Sequence, residues 1–145
     1  MKKNLLFVED NPGDAHLIKE AFKRLSLPHA VHVLSDGTAV LPYLTKQGEY
    51  SEAPVPDLIL LDLNMPKKSG IEVLIEIKES PEWQAIPVVI LTSSQSPKDV
   101  EACYRHHANC VLTKPFEFKG VLDMVTALNA FWFESAFLPK RKERL

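Results

Sequence analysis

Asp57-Leu58-Ile59-Leu60-Leu61-Asp62-Leu63-Asn64-Met65-Pro66 is the stretch whose reading decides the fold. Leu58 to Leu61 form an apolar run that delivers a carboxylate, Asp62, and Asn64 and Pro66 then stop it. An uninterrupted apolar run of this kind suits a strand buried on both faces, as in the centre of a parallel sheet. A charge at the end of such a strand would meet solvent at the carboxyl edge, where open α/β sheets place their ligands. Taken alone, Asp62 reads equally well as a turn residue, because Asp and Asn favour turns for their own reasons. The rest of the chain has to decide.

Working outward, the stretch has close relatives. Leu5-Leu6-Phe7-Val8 is a second apolar run and ends in the acidic pair Glu9-Asp10. Pro87-Val88-Val89-Ile90-Leu91 is a third and ends in Thr92-Ser93-Ser94. Cys110-Val111-Leu112-Thr113 runs straight into Lys114-Pro115, and Ala30-Val31-His32-Val33-Leu34, with its histidine, reads as an edge strand. Helical patterns lie between them. Asn11-Pro12-Gly13-Asp14 offers a cap, a proline for the first turn and an acid for the dipole, ahead of Leu17, Ile18, Ala21, Phe22 and Leu25. After Asp36-Gly37 a weaker helix contains Pro42, which predicts a kink or a late start near Thr38. Ser69 caps a helix carrying Ile71, Leu74 and Ile75, and Ser96-Pro97 opens another. The longest helix is predicted from about Glu117 to Ala136, and a charged tail follows to Leu145.

Five βα repeats predict an α/β fold of flavodoxin-like type: a doubly wound parallel sheet, right-handed crossovers and helices on both faces. Strands one, three, four and five read as interior and strand two as an edge, which we fit to the order 2-1-3-4-5. The 145 residues suit one domain, expected over 1–136 with the tail over 137–145. A charged fraction of 25%, an apolar fraction of 46% and a net charge of −2 give no reason to expect nucleic-acid or membrane binding. No apolar run approaches the roughly 20 residues that span a bilayer. Two cysteines make no disulfide framework, and a cytoplasmic setting is expected.

The strand ends now gather into one constellation. Glu9, Asp10, Asp62, Thr92 and Lys114 all fall just past the carboxyl ends of parallel strands, so the fold brings them together. Three crowded carboxylates need a dication or an ammonium nearby. Hard oxygen ligands suit Mg²⁺ better than zinc, Lys114 adds a compact charge, and Thr92 a hydroxyl. Such a site can receive a phosphoryl group.

At these residues the sequence resembles the response-regulator receiver domain, from about Asn4 to Ala136. Glu9-Asp10, Leu60 to Pro66, Thr92-Ser93 and Lys114-Pro115 carry the likeness. The resemblance implies that Asp62 accepts a phosphoryl group from a histidine kinase. It implies Mg²⁺ bound directly by Asp10 and Asp62, largely through water by Glu9, and by the backbone carbonyl of Asn64. It implies that Thr92 and Lys114 hold the phosphoryl oxygens, with a cis peptide between Lys114 and Pro115. Many receivers carry an aromatic residue three positions before the lysine; here it is Val111, which leaves the usual ring relay without its residue.

With little chain beyond the receiver pattern, a stand-alone receiver acting through its surfaces is expected. At 100° per residue, Phe118, Val121, Leu122, Met124, Val125, Leu128, Phe131, Trp132 and Phe133 span roughly 200° of the last helix. One packed face needs little more than about 100°. The excess nominates Leu128, Phe131, Trp132 and Phe133 as a protein–protein interface. These aromatics and Asp10 to Asp14 also resemble the single-domain regulators of bacterial and cyanobacterial phytochrome-type histidine kinases, which implies such a kinase as partner and a homodimer through the last strand and helix.

Lesser features take plainer readings. Cys103, His106 and His107 read as a buried thiol and surface histidines, Trp83 as a loop anchor, and Lys140 to Arg144 as a solvated tail. Two other functions fit less of the sequence. A Mg²⁺-dependent small-molecule phosphohydrolase or phosphotransferase would commonly carry an aspartate where Asn64 stands, and would need a cap domain over its substrate. A constitutive dimerisation adaptor would have no use for the intact set of site residues.

Overall fold

The computed structural model describes residues 2–139; the expected basic run Lys140 to Arg144 lies outside them. In chain order the elements are β1 (Asn4–Val8), α1 (Pro12–Arg24), β2 (Ala30–Leu34), α2 (Val40–Leu44), β3 (Leu58–Asp62), α3 (Gly70–Glu79), β4 (Val88–Thr92), α4 (Pro97–Arg105), β5 (Cys110–Thr113) and α5 (Phe118–Leu128). All neighbouring strands pair in parallel, in the order β2-β1-β3-β4-β5.

The interior strands alternate between two cores because successive side chains point to opposite faces. Leu6, Val8, Ile59, Leu61, Val88 and Ile90 face Leu44, Val73, Leu74, Ile77 and Cys103 of α2, α3 and α4. Leu5, Phe7, Leu58, Leu60, Val89 and Leu91 face Ile18 and Phe22 of α1 and Val121 and Val125 of α5. Every residue of β3 and β4 is buried, which is what makes their sequences read as continuous apolar runs. At about 1.5–3 kcal/mol for each large side chain, these layers hold the strand ends still.

Local signals start the helices where the sequence places them. The Asn11 side chain accepts a hydrogen bond from Asp14 N, with Pro12 in the first turn. Ser69 and Glu72 form a reciprocal capping box at the start of α3. Pro42 is tolerated because α2 starts late, after a 3-10 turn over Gly37–Ala39, so its missing N–H falls where no intrahelical acceptor exists. Trp83 is buried beneath its loop, as an anchor should be. Cys103 is buried, while His106 is half-buried and His107 exposed just past α4.

Three expectations need correction. β5 is an edge strand, not an interior one: it pairs with β4 alone and is half-buried. Its apolar side chains are explained by helix packing on its faces, not by a sixth strand. The last helix is not uniform. Its α-helical part ends at Leu128 and widens into a π-helical turn over Asn129–Ser135, closed by Ala136 N donating to Phe131 O at 2.8 Å. That change of pitch divides the nominated interface. Leu128 and Phe133 are both buried, with the Phe133 ring 4.5 Å from that of His29, while Leu128 also lines one groove with Phe131 and Trp132. Phe131 remains 59% exposed, and Trp132, half-buried, meets it edge to face.

Candidate functional site at the carboxyl edge

The ends of β1, β3 and β4 and the residue after β5 converge as the topology requires. Glu9 continues the β1 ladder by donating its N–H to Leu34 O at 2.9 Å, and Lys114 N donates to Thr92 O at 2.8 Å. Asp62 pairs with Leu91, so Thr92 follows one residue later on the neighbouring strand. Glu9, Asp62 and Thr92 are all buried, at 1%, 4% and 1% exposure, whereas Asp10 reaches solvent. Carboxylate oxygens of Glu9, Asp10 and Asp62 lie within 4.8 Å of one another.

Lys114 sits among the carboxylates. Its Nζ is 2.6 Å from Glu9 Oε1, 2.9 Å from Asp14 Oδ2 and 3.6 Å from Asp62 Oδ2. Burial pushes the Glu9 carboxyl up from 4.5 to about 7, with the Lys114 ammonium and the Asn11 N–H opposing and Asp62 adding to the rise. Burial alone would lower the Lys114 pKa, but Asp14, Glu9 and Asp62 outweigh it and hold the ammonium above its ordinary value. Glu9 Oε2 accepts from Asn11 N at 3.2 Å. Glu9 Oε1 is buried and ion-paired with the Lys114 ammonium at 2.6 Å. Three carboxylates whose oxygens lie this close, one of them reaching solvent, offer the hard oxygen donors that a divalent cation takes.

The remaining contacts fix orientation. Asn64 N lies 3.4 Å from Asp62 Oδ1, and Gly70 N donates to Leu63 O at 2.9 Å. A Cβ on Gly70 would stand 2.3 Å from the Asp62 carbonyl oxygen, so α3 can start this close to the strand end only with glycine there. Thr92 Oγ1 accepts from Ser94 N at 2.9 Å, and Ser94 Oγ donates to Asp99 Oδ2 in the first turn of α4 at 2.8 Å. Across α4, the Tyr104 hydroxyl accepts from Val111 N at 3.1 Å, on β5. The Lys114–Pro115 peptide is trans, since no cis bond occurs among the described residues.

All five strand-end residues named from sequence are therefore brought to one place. Two residues of the site were not anticipated there: Asp14, read as a helix-dipole acid, and Gly70, which the sequence does not single out. The spacing of Asp14 from Asn11 was visible, but its reach to Lys114 depends on how α1 leaves the sheet edge.

A 2-1-3-4-5 parallel sheet with buried acids, a threonine and a lysine at its carboxyl edge defines a class of phosphoryl-switched signalling domain. The chain belongs to the response-regulator receiver family, whose model matches residues 5–126. It is thus a response regulator of two-component signalling. Among its relatives, the response regulator Rcp1 of Synechocystis is 47% identical over 137 residues, covering 94% of this chain and 93% of Rcp1. The crystal structure of the Mn²⁺-bound form of Rcp1 superposes with a TM-score of 0.87 at 46% identity, covering 95% of this chain and 99% of the other. The phosphorylated cyanobacterial phytochrome response regulator RcpA gives a TM-score of 0.90 at 43% identity, covering 97% and 100%.

Proposed function

We propose that this protein is the phosphoryl acceptor of a histidine kinase, with Asp62 as the residue that carries the group. The observation that carries the reading is the convergence of Glu9, Asp10 and Asp62 within 4.8 Å of one another, with the Lys114 ammonium held beside them. A carboxylate oxygen of Asp62 attacks the phosphorus of phosphohistidine. An O–P bond forms, the N–P bond breaks, and the imidazole leaves with the electron pair and takes up a proton. Lys114 neutralises an equatorial oxygen, and the Thr92 hydroxyl turns from its loop contacts to donate to another. Asp10, Asp62 and the Asn64 carbonyl would hold Mg²⁺, with Glu9 behind them, and the cation would neutralise charge developing on the phosphoryl oxygens. Hydrolysis of the acyl phosphate resets the site, so the protein's only chemistry is on itself.

The partner we infer is a phytochrome-type sensor kinase. The likeness to RcpA and the 38% identity to the bacteriophytochrome response regulator AtBRR support this. Output is through a protein surface. Phe131 and Trp132, with Cys110 and Leu112 of β5 and Met124 of α5, line an apolar groove that suits a second copy of the chain. The setting proposed is the cytoplasm, with neither nucleic acid nor membrane as partner; no helix among the described residues is long and apolar enough to cross a membrane. The test is incubation with Mg²⁺ and acetyl phosphate followed by intact-mass measurement. A gain of one phosphoryl group supports the acceptor; donor turnover with no covalent adduct refutes it.

A further inference from the structure

The Lys114 ammonium has three acidic neighbours, and the one it meets outside the cation cluster is Asp14. Glu9, Asp10 and Asp62 are grouped closely enough to share an ion, and Asp14 is not among them. Lys114 Nζ meets Glu9 of the cluster at 2.6 Å, yet it is closer to Asp14 (2.9 Å) than to Asp62 (3.6 Å). Asp14 is also held for the contact. Pro12 fixes the first turn of α1, and the Asn11 side chain receives the Asp14 N–H at 3.1 Å. An ammonium drawn fully between Glu9 and Asp62 would occupy the charge well that a dication needs, because both cations compete for the same carboxylate oxygens.

We propose that Asp14 is a positioning residue that acts through Lys114. It holds the ammonium between Glu9 and α1 and off Asp62, and so leaves the Asp10 and Asp62 carboxylates available to the divalent cation. When Asp62 carries a phosphoryl group, the added negative charge competes with Asp14 for the same ammonium, and the lysine is already within reach. Asp14 thereby sets the balance between a lysine that blocks the cation and a lysine that serves the phosphoryl group. This rests on the reading of Asp62 as phosphoryl acceptor at a cation site.

A double-mutant cycle on Mg²⁺ binding, read by calorimetry on the full chain without phosphodonor, tests it. Asp14→Asn should weaken Mg²⁺ binding by on the order of tenfold, the range of coupling seen between contacting charges. Lys114→Met should tighten it. In the Lys114→Met background, Asp14→Asn should change affinity less than about twofold, because the residue it acts through is gone. Asp14→Glu, which keeps the charge on a longer arm, should recover part of the loss. Equal weakening by Asp14→Asn in both backgrounds would overturn the proposal and leave Asp14 as a bulk charge. Undiminished Mg²⁺ binding in the single variant would overturn it as well. Thermal melts of each variant separate loss of folding from loss of binding, with Asp14→Ser as a second substitution at the exposed first turn. The cycle reads cation binding alone, so its failure is distinct from failure of the acceptor reading, which the mass gain of the unsubstituted protein with acetyl phosphate decides.

Discussion

Replacing Glu9 by Gln should stabilise this protein at neutral and mildly alkaline pH but not in acid. The carboxyl is buried at 1% exposure, and its pKa is raised from 4.5 to about 7, chiefly by burial. Between those two values the folded protein keeps a proton on Glu9 that the unfolded chain has released. Stability from this group is therefore fully present below about pH 4.5, declines as pH rises, and is lost above about 7. At 1.36 kcal/mol per pH unit, holding the ionised carboxylate in the fold costs about 3 kcal/mol at pH 8. The attraction to Lys114 is already contained in that shift, as the first of the influences opposing burial. Gln keeps the shape and never ionises. Urea or thermal unfolding in chelator-containing buffer should show Glu9→Gln near wild type at pH 4 and about 3 kcal/mol more stable at pH 8, or roughly 6–12 °C in Tm. Taking the difference between the two proteins cancels the other titrating groups. Adding Mg²⁺ at pH 8 should narrow the gap by stabilising the wild-type site. A difference that is the same at both pH values, or a variant less stable than wild type at pH 8, would refute the reasoning.

Three further outcomes follow from particular contacts. Gly70→Ala places a methyl 2.3 Å from the Asp62 carbonyl oxygen, so it should cost about 1–3 kcal/mol in urea unfolding and slow phosphorylation by acetyl phosphate; a neutral variant would remove the packing argument. Tyr104→Phe removes the hydroxyl that covers the Val111 N–H; at about 1 kcal/mol per neutral hydrogen bond, exchange of that amide should rise about fivefold in NMR. Unchanged exchange would mean that the hydroxyl does not protect it. Phe131→Ala combined with Trp132→Ala should shift a dimer toward monomer in light scattering with little change in stability, whereas Phe133→Ala should chiefly lower the free energy of unfolding, by about 3–5 kcal/mol of core packing. An unchanged mass for the first pair would count against the interface.

The parts of the fold legible in the sequence were those set by local chemistry. β3 and β4 announce themselves because burial on both faces demands unbroken apolar runs, and α1 and α3 because Asn11, Pro12 and Ser69 sit where caps and first turns need them. The strand-end residues were legible for a related reason: parallel topology assembles them whatever the loops do. β5 was misplaced to the interior because its four-residue run has the same apolar look as a two-sided strand, and only pairing distinguishes them. The aromatic end of the last helix was harder still. A fixed 100° step puts Leu128, Phe131, Trp132 and Phe133 on one broad arc, but the π turn resets the angle and sends Phe133 to the core beside His29. Asp14 escaped notice as a site residue because a first-turn acid already has a sufficient explanation in the helix dipole. Gly70 did so because close approach of two backbones leaves no mark in sequence beyond the glycine itself.

Phosphoryl transfer to the Asp62 carboxylate is tested most directly by locating the modification. The protein is treated with acetyl phosphate and Mg²⁺, the acyl phosphate is reduced with borohydride, and the peptides are sequenced by mass spectrometry. The account predicts homoserine at position 62 in the wild-type protein and no reduced residue in Asp62→Asn. Homoserine at Asp10 or Asp14, or a phosphoryl adduct that survives in Asp62→Asn, would contradict it.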